Sequence, residues 1–303
     1  DGLARQTVAP DHIHVVVSST DEIEIPAGVQ VTRLTHPAHF AQAANVGLLA
    51  ERGNPIVLLN DDTVPSERFI EQLCKAVTGP GIYQPRIILA DGSNRIDNTG
   101  HRLFLDGFNF ARGRGRQGGE FSSEAGAFSG AAALITPEVM ATVGLFDEDF
   151  EAFGEDLDLS LRARRAGFRI HYVPDAVIHH ELGASYGRVS ARKIFLVERN
   201  RTRAAVRSLP LMALAALPTT TMLRLSLQAS GAAMGRGLGV GAGPFGCLAA
   251  LAGNGAGWLC IPQAWAKRRR DRSHWKVQER DMLRHLVQHR ARTSDVLGAA
   301  GTP

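Results

Sequence analysis

Three short polar segments hold residue types that suit one reaction: Asn60, Asp61 and Asp62; Glu155 and Asp156; His179 and His180. Carboxylates and an imidazole can share a divalent cation, and a second carboxylate can take a proton from an attacking hydroxyl. Together they suit metal-assisted group transfer. The first segment closes the apolar run 55–59. The second opens a helical pattern over 155–166, which Gly167 stops. The third closes a strand pattern over 175–180.

Each segment also has a plainer reading. An acidic pair after a strand can begin a turn or cap a helix near Ser66. Acids in a first helical turn are favoured by the macrodipole by about 0.3–1 kcal/mol. Asp158 and Arg162 stand four residues apart on that helix and read as a structural ion pair. A lone histidine is more often a surface or satisfied core residue than a ligand. Neighbouring residues on a strand point to opposite faces, so only one of His179 and His180 should ligate.

The elements that must position these residues are legible as patterns. Apolar runs near 12–17, 29–34, 55–60, 82–89 and 131–135 are short and rich in Val and Ile, as buried strands are. Helical patterns fall between them. Phe40 to Arg52 places Ala41, Ala44, Leu48 and Leu49 on one face. Ser66 is expected to cap a second helix with a stripe of Phe69, Ile70, Leu73 and Val77. The alternation predicts an α/β fold with a doubly wound, mostly parallel sheet, whose ligand sits at the carboxyl ends of strands. Asn60 to Asp62 lie at such an end. From Ile82 to Phe110 the pattern is one of irregular strands joined by an Asp91–Ser93 turn. Arg112 to Gly119 is a glycine-rich basic loop, either a lid or diphosphate grip, or simply a solvated loop.

At 303 residues the chain can bury one large domain and an extension. The formal net charge is +4, and a basic cluster falls late, over 267–272. Cys74, Cys247 and Cys260 form no CxxC pair, which fits a reducing compartment. The first ten residues read as the tail of a helix, and a nucleotide-binding α/β domain normally begins one strand earlier. A leading strand is therefore expected ahead of Asp1. After about residue 205 the character changes: 209–217 is apolar, and 237–266 carries no charge. The glycines of that stretch, with Pro244 and Asn254, argue against a simple span. The expectation is a helical extension over 206–303, on the membrane surface or re-entrant, with 267–272 against anionic headgroups. A soluble helical subdomain is the alternative. Residues 277–290 read as a charged amphipathic helix with Met282, Leu283 and Leu286 on one side.

The order and context of the three polar segments resemble the inverting glycosyltransferases of family 2, which have a GT-A fold. The resemblance covers about residues 3–205 and looks most like bacterial rhamnosyltransferase-type members. The run Pro55 to Pro65 is similar to the family's DxD-type segment. This implies that Asp62 is the metal ligand, with Asn60 and Asp61 supporting the donor ribose or diphosphate. Phe146 to Arg162 is similar to the acceptor-side segment, which implies Asp156 as general base and Glu155 as the neighbour shaping its field. Phe128 to Pro137 matches the stretch lining the donor-sugar and acceptor cleft, where Gly130 lies. A histidine before a small-residue segment such as Gly183 to Ser185 helps hold the metal, which implies His180 over His179. Family members often carry a pair like Arg199 and Asn200. Arg199 or Arg201 then meets a diphosphate, or that helix is a basic interfacial one. Many members read the nucleobase with an aspartate after the second strand. This chain departs there, and Ser18 or Asp21 stands in.

The resemblance implies a hexosyltransferase that moves rhamnose or a similar sugar from a dTDP- or UDP-linked donor, with Mg2+ or Mn2+. The implied acceptor is a cell-surface glycan or a polyprenyl-diphosphate-linked glycan, at the cytoplasmic face of the membrane, in polysaccharide and cell-wall biogenesis. A non-catalytic member that binds nucleotide or glycan and scaffolds a synthesis complex is the alternative. Nucleic-acid binding through the 267–272 cluster is weak. Only Trp265 and Trp275 accompany it, and it follows an apolar segment.

Overall fold

The computed structural model describes residues 2–18, 24–26, 28–181, 190–236 and 243–298. Strands β1 (His14–Val17) and β2 (Gln30–Arg33) pair in parallel as a separate ladder. Helix α1 (Phe40–Ala50), strands β3 (Ile56–Leu59) and β4 (Thr63–Pro65), and helix α2 (Phe69–Ala76) follow. Next come β5 (Gly81–Leu89), β6 (Ile96–Asn98), β7 (His101–Leu103), β8 (Asn109–Ala111) and β9 (Ala132–Ile135). Helices α3 (Pro137–Val143) and α4 (Glu155–Arg165) lead into the long strand β10 (Arg169–His180).

The main sheet has the order β3-β9-β5-β10-β4, with β6 added on β5. It is the doubly wound, GT-A-like core that the strand–helix alternation predicts. Its hydrogen bonding is mixed, however: β5 and β10 run parallel and the other pairs antiparallel. A parallel neighbour needs a long crossover, and β6 follows β5 through only the Asp91–Ser93 turn. Strand β9 pairs with the start of β5, and β6 with its end.

Helix α4 is held on two sides. Leu159 and Ala163 enter the cluster built on Ile82, Phe128, Ile135 and Phe146. Leu157 and Leu161 enter another with Leu103, Ala204, Leu209, Met282 and Leu286. The second cluster ties the sheet domain to the C-terminal helices α5 (Ala191–Ser208), α6 (Leu211–Ala215), α7 (Leu217–Ala233) and α10 (Glu279–Gln288), while α8 (Gly243–Leu259) and α9 (Ile261–Asp271) pack on α5 and α11 (Thr293–Val296) on α7. The Asp158–Arg162 pair is structural as read: both are buried and 2.7 Å apart, and Arg207 joins Asp158 at 3.0 Å.

Several local expectations are corrected. Residues 2–5 form a turn, not the tail of a helix. Leu49 is exposed, and Asn45 takes the inward position on α1, bonded to Phe146. Ser66 does not cap α2 with its side chain; its hydroxyl donates to the Val177 carbonyl at 2.7 Å. The basic cluster does not face outward as a unit. Lys267 lies 2.6 Å from both Asp147 and Asp149, and buried Arg268 donates to the Leu209 carbonyl. Among the described residues no single helix is long and apolar enough to cross a membrane. Phe245–Leu259 and Ile261–His274 meet the length and composition test only as a pair bent by 53°.

Candidate active site

The register of β10 against β4 sets His180 opposite Thr63, one residue past Asp62. The Glu181 N–H donates to the Asp62 carbonyl at 2.8 Å and locks the crossing. His180 Nε2 then lies 3.3 Å from Asp62 Oδ1. Its neighbour His179 points the other way and lines a surface cleft with Val64, Pro65 and Asp175. Strand alternation thus turns His180, and not His179, toward Asp62.

A residue from β6 completes this half. On the β5–β6 ladder Ile87 pairs with Asn98 and Ile88 with Ile96, so Asp97 is the extra residue of a bulge. A bulge re-aims a side chain. Here it turns Asp97 to His180, with Oδ2 2.9 Å from Nδ1. Arg114 meets the other Asp97 oxygen at 3.1 Å. Burial opposes a charge on His180, but the bond and charge of Asp97, helped by Asp62, prevail and raise its pKa. A carboxylate on Nδ1 fixes Nε2 as the metal-facing nitrogen of a ligating histidine. Asp62 Oδ1 is buried and makes no hydrogen bond among the described residues. These two atoms fit a divalent cation. Among the described residues no group of three or more His, Cys, Asp or Glu is placed to hold a metal ion by itself. An open site is normal for Mg2+ or Mn2+ that shares its coordination with phosphates and water.

The second half is built at the N-terminus of α4. Asp156 Oδ2 accepts the Gly130 N–H at 3.0 Å, and Oδ1 the Leu157 N–H at 2.7 Å. His101 Nε2 lies 3.8 Å from Asp156 Oδ2. It also lies 3.3 Å from Asn98 Nδ2. Asp97 and Asn98 are consecutive on β6, so one bulged strand touches both halves of the site. Glu155 is buried, with Oε2 making no hydrogen bond among the described residues. Burial and then the Asp156 charge push its pKa up to about 8, which makes it a neutral acid near pH 7.

The approach to α4 is tightly held. Glu151 and Phe153 have φ of 58° and 66°, and Gly154 has 92°. Non-glycine residues in this region carry strain. Asn200 on α5 offsets it: its amide nitrogen lies 2.7, 2.9 and 2.7 Å from the carbonyl oxygens of Phe150, Ala152 and Phe153.

The remaining expected site residues are placed as follows. Asn60 closes the turn after β3, its carbonyl accepting the Thr63 hydroxyl at 2.6 Å, and Asp61 is exposed on that turn. Ser18 stands at the end of β1, in the separate ladder. Asp21 and the segment Gly183 to Ser185 lie outside the described residues. Arg199 and Arg201 are used within the fold rather than for a diphosphate. Arg199 meets Glu151 at 2.8 Å, and Arg201 is buried against Glu198 and Asp106. In the basic loop Arg112 is buried on the carbonyls of Thr99 and Glu124, and Arg116 stacks on Phe121, while Arg114 reaches the site.

Sequence reasoning missed Asp97, Asn98 and His101, and had Arg114 only as part of the basic loop. The available signal was two consecutive polar residues beside Ile96, in a stretch read only as irregular strand.

The sequence profile described as "Glycosyltransferase like family 2" matches residues 4–206. Pre-mycofactocin glycosyltransferases of two Mycobacterium tuberculosis strains are 26% identical over 195 residues, covering 63% of this chain. The chain spans 40% of the length of those relatives. Similar solved structures include GalNAc-T7 with UDP, GalNAc and Mn2+, at 14% identity and a TM-score of 0.49 over 64% of this chain and 41% of that one. They also include the mannosyltransferase PcManGT of Pyrobaculum calidifontis with GDP-Man and Mn2+, at 17% identity and 0.48 over 90% and 81%. Since the profile spans two thirds of the sequence and takes in all three polar segments, this chain belongs to the family 2-like glycosyltransferases.

Proposed function

We propose that this chain transfers a sugar, with inversion, from a nucleoside diphosphate donor to a hydroxyl acceptor. The observation that carries the reading is the meeting of the two halves at β6. Asp97 orients His180 beside Asp62, and the adjacent Asn98 contacts His101 beside Asp156.

Asp62 and His180 would hold Mg2+ or Mn2+, which neutralises charge building on the departing diphosphate. Asp156 is the general base. Its carboxylate is fixed by the Gly130 N–H and the N-terminus of α4, leaving it oriented before the acceptor arrives. Glu155, neutral near pH 7, adds no second negative charge beside that base. The displacement is in-line, and Asp156 takes the acceptor proton as the new bond forms. Arg114, held on Asp97, places a cation beside the diphosphate position. Asn60, Asp61 and Ser18 remain candidates for the ribose and base.

A dTDP-rhamnose or UDP-sugar donor, and a glycan acceptor at a membrane surface, complete the reading. The C-terminal helices support the membrane part: Phe245, Leu248, Leu251 and Leu259 on α8, with Met222 and Leu223 on α7, are exposed. Exposed apolar side chains on helices suit a membrane surface. Residues 1–205 would form the transferase domain and 206–303 the membrane-facing extension.

The test is nucleoside diphosphate release from dTDP-rhamnose, UDP-glucose and GDP-mannose with Mn2+, with and without polyprenyl-diphosphate-linked acceptors. Loss of release in Asp62→Asn and Asp156→Asn supports the reading. Undiminished release in Asp156→Asn removes the assigned base.

A further inference from the structure

We propose that His101 is a positioning residue for the general base, built to receive a hydrogen bond from Asp156 only after that carboxylate has taken the acceptor proton. This rests on the reading of Asp156 as the base.

The argument begins at Asn98. The Gly100 N–H donates to Asn98 Oδ1 at 2.8 Å, which fixes the amide and turns Nδ2 to His101 Nε2 at 3.3 Å. An amide nitrogen only donates, so Nε2 is the acceptor nitrogen and the ring proton is on Nδ1. The same Nε2 faces Asp156 Oδ2 at 3.8 Å. While Asp156 is a carboxylate, two acceptors confront each other and no bond forms. That is the distance expected of atoms without a shared proton, since a formed O–H···N bond is roughly 1 Å shorter.

Proton transfer reverses the relation. The acceptor O–H bond breaks as its oxygen bonds the sugar carbon. The bond from that carbon to the diphosphate breaks, and its electron pair leaves with the diphosphate. The proton arrives on Asp156 Oδ2, which becomes a donor that can replace the 3.3 Å Asn98 contact at the single Nε2 lone pair. The contact thus favours the state after transfer over the state before it, the kind of interaction that accelerates a step.

His101 is held for this. Its N–H donates to the Ala127 carbonyl at 2.7 Å, and its carbonyl accepts the Gly126 N–H at 3.0 Å. Burial lowers its pKa and keeps the ring neutral. The charged groups facing it are Asp156 from α4, Asp97 from β6 and Arg112 beyond β8. The Phe110 carbonyl raises the pKa, and the buried Nδ1 makes no hydrogen bond among the described residues.

The first test needs no substrate: nitrogen NMR of the histidine-labelled full chain, with His101 assigned by its loss in His101→Gln. The expected result is the Nδ1–H tautomer, with the Nε2 signal moving in Asp156→Asn, whose amide can donate. An Nε2–H tautomer overturns the proposal, because that proton would favour the charged carboxylate. The second test is hydrolysis of UDP-glucose, GDP-mannose or dTDP-rhamnose with Mn2+. His101→Phe should lower kcat by roughly tenfold or more, with the donor KM within about twofold. His101→Gln, whose amide oxygen also accepts, should recover part of the loss. Unchanged kcat in His101→Phe, or equal impairment in His101→Gln, overturns the proposal. An active Asp156→Asn enzyme would instead remove the base assignment. An inactive Asp156→Asn with normal His101→Phe would remove His101 alone.

Discussion

Asp97 Oδ2 lies 2.9 Å from His180 Nδ1, and this bond decides which imidazole nitrogen faces Asp62. A carboxylate behind a ligating histidine fixes its tautomer and raises its basicity, and losing it typically costs 10–100-fold in metal affinity. Asp97→Asn should therefore weaken Mn2+ binding by roughly that factor, and Asp62→Ala by more. Titration calorimetry with Mn2+ and UDP reads both. Equal affinity in Asp97→Asn would mean that His180 is not a ligand.

Asn200 should prove more damaging to lose than its distance in sequence from the acid pair suggests. Its amide meets three carbonyls of the 150–153 turn, where Glu151 and Phe153 hold positive φ. Asn200→Ala leaves those buried oxygens short of a donor, at about 1–3 kcal/mol, and frees a strained turn that leads into Asp156. The expected outcome is a lower urea midpoint together with a fall in kcat. Asn200→Asp should be worse, because it sets a carboxylate against carbonyl oxygens. Wild-type activity in Asn200→Ala would show that the turn holds itself.

What was legible in the sequence follows from how local each cause is. Ile56 to Leu59 announce a strand by themselves, and the polar segment Asn60 to Asp62 stands at its end. That only one of His179 and His180 faces the site needs only strand alternation, while the choice of His180 comes from the family resemblance. Asp97 and His101 could not be found this way. Asp97 reaches His180 because a bulge re-aims it across 83 residues of sequence, and neither the bulge nor the partner is marked locally. The late basic cluster was only half legible for the converse reason: Arg269, Arg270 and Arg272 are exposed, but Lys267 and Arg268 are not free of the fold. Composition reports charge, but the partners of Lys267 and Arg268 lie on segments far away in the chain.

Two buried histidines give the fold a pH dependence. Burial, then His289 and Arg164, pushes His285 down to about 3. Burial, then Arg112, pushes His289 to about 4. Both are neutral in the fold, whereas the unfolded chain takes up protons near 6.5. Their contribution is complete above that value and is lost as pH falls toward 4 and then 3. Between about pH 6.5 and 5 the loss should be on the order of 1–2 kcal/mol for each. His285 bonds the Gly126 carbonyl at 3.2 Å, so α10 is pinned to the segment leading to Gly130. Urea melts at pH 7 and 5 should show the drop, and the double variant His285→Gln, His289→Gln should flatten it. A double variant with the same slope would place the dependence elsewhere.

The glycines of α8 are not interchangeable, and stability should separate them. Composition counts them all as a cost to the helix, about 1 kcal/mol each against alanine. The packing of α8 on α5 divides them. A Cβ at Gly253 would stand 2.4 Å from the Phe195 carbonyl oxygen, and one at Gly257 2.7 Å from Thr202 Cβ. These two, four residues apart, let the helix backbones approach, as small residues do at close helix crossings. A Cβ at Gly255 would meet nothing within 4 Å. Gly255→Ala should therefore stabilise the protein by up to about 1 kcal/mol through helix propensity alone. Gly253→Ala should destabilise it by about 1–3 kcal/mol, because backbone must move. Thermal melts of the single variants decide between the two views of the segment. If all alanine substitutions stabilise, the α5–α8 contact is looser than its geometry states; if their signs oppose, the glycine content of this stretch is explained by packing and not by a tendency to disorder.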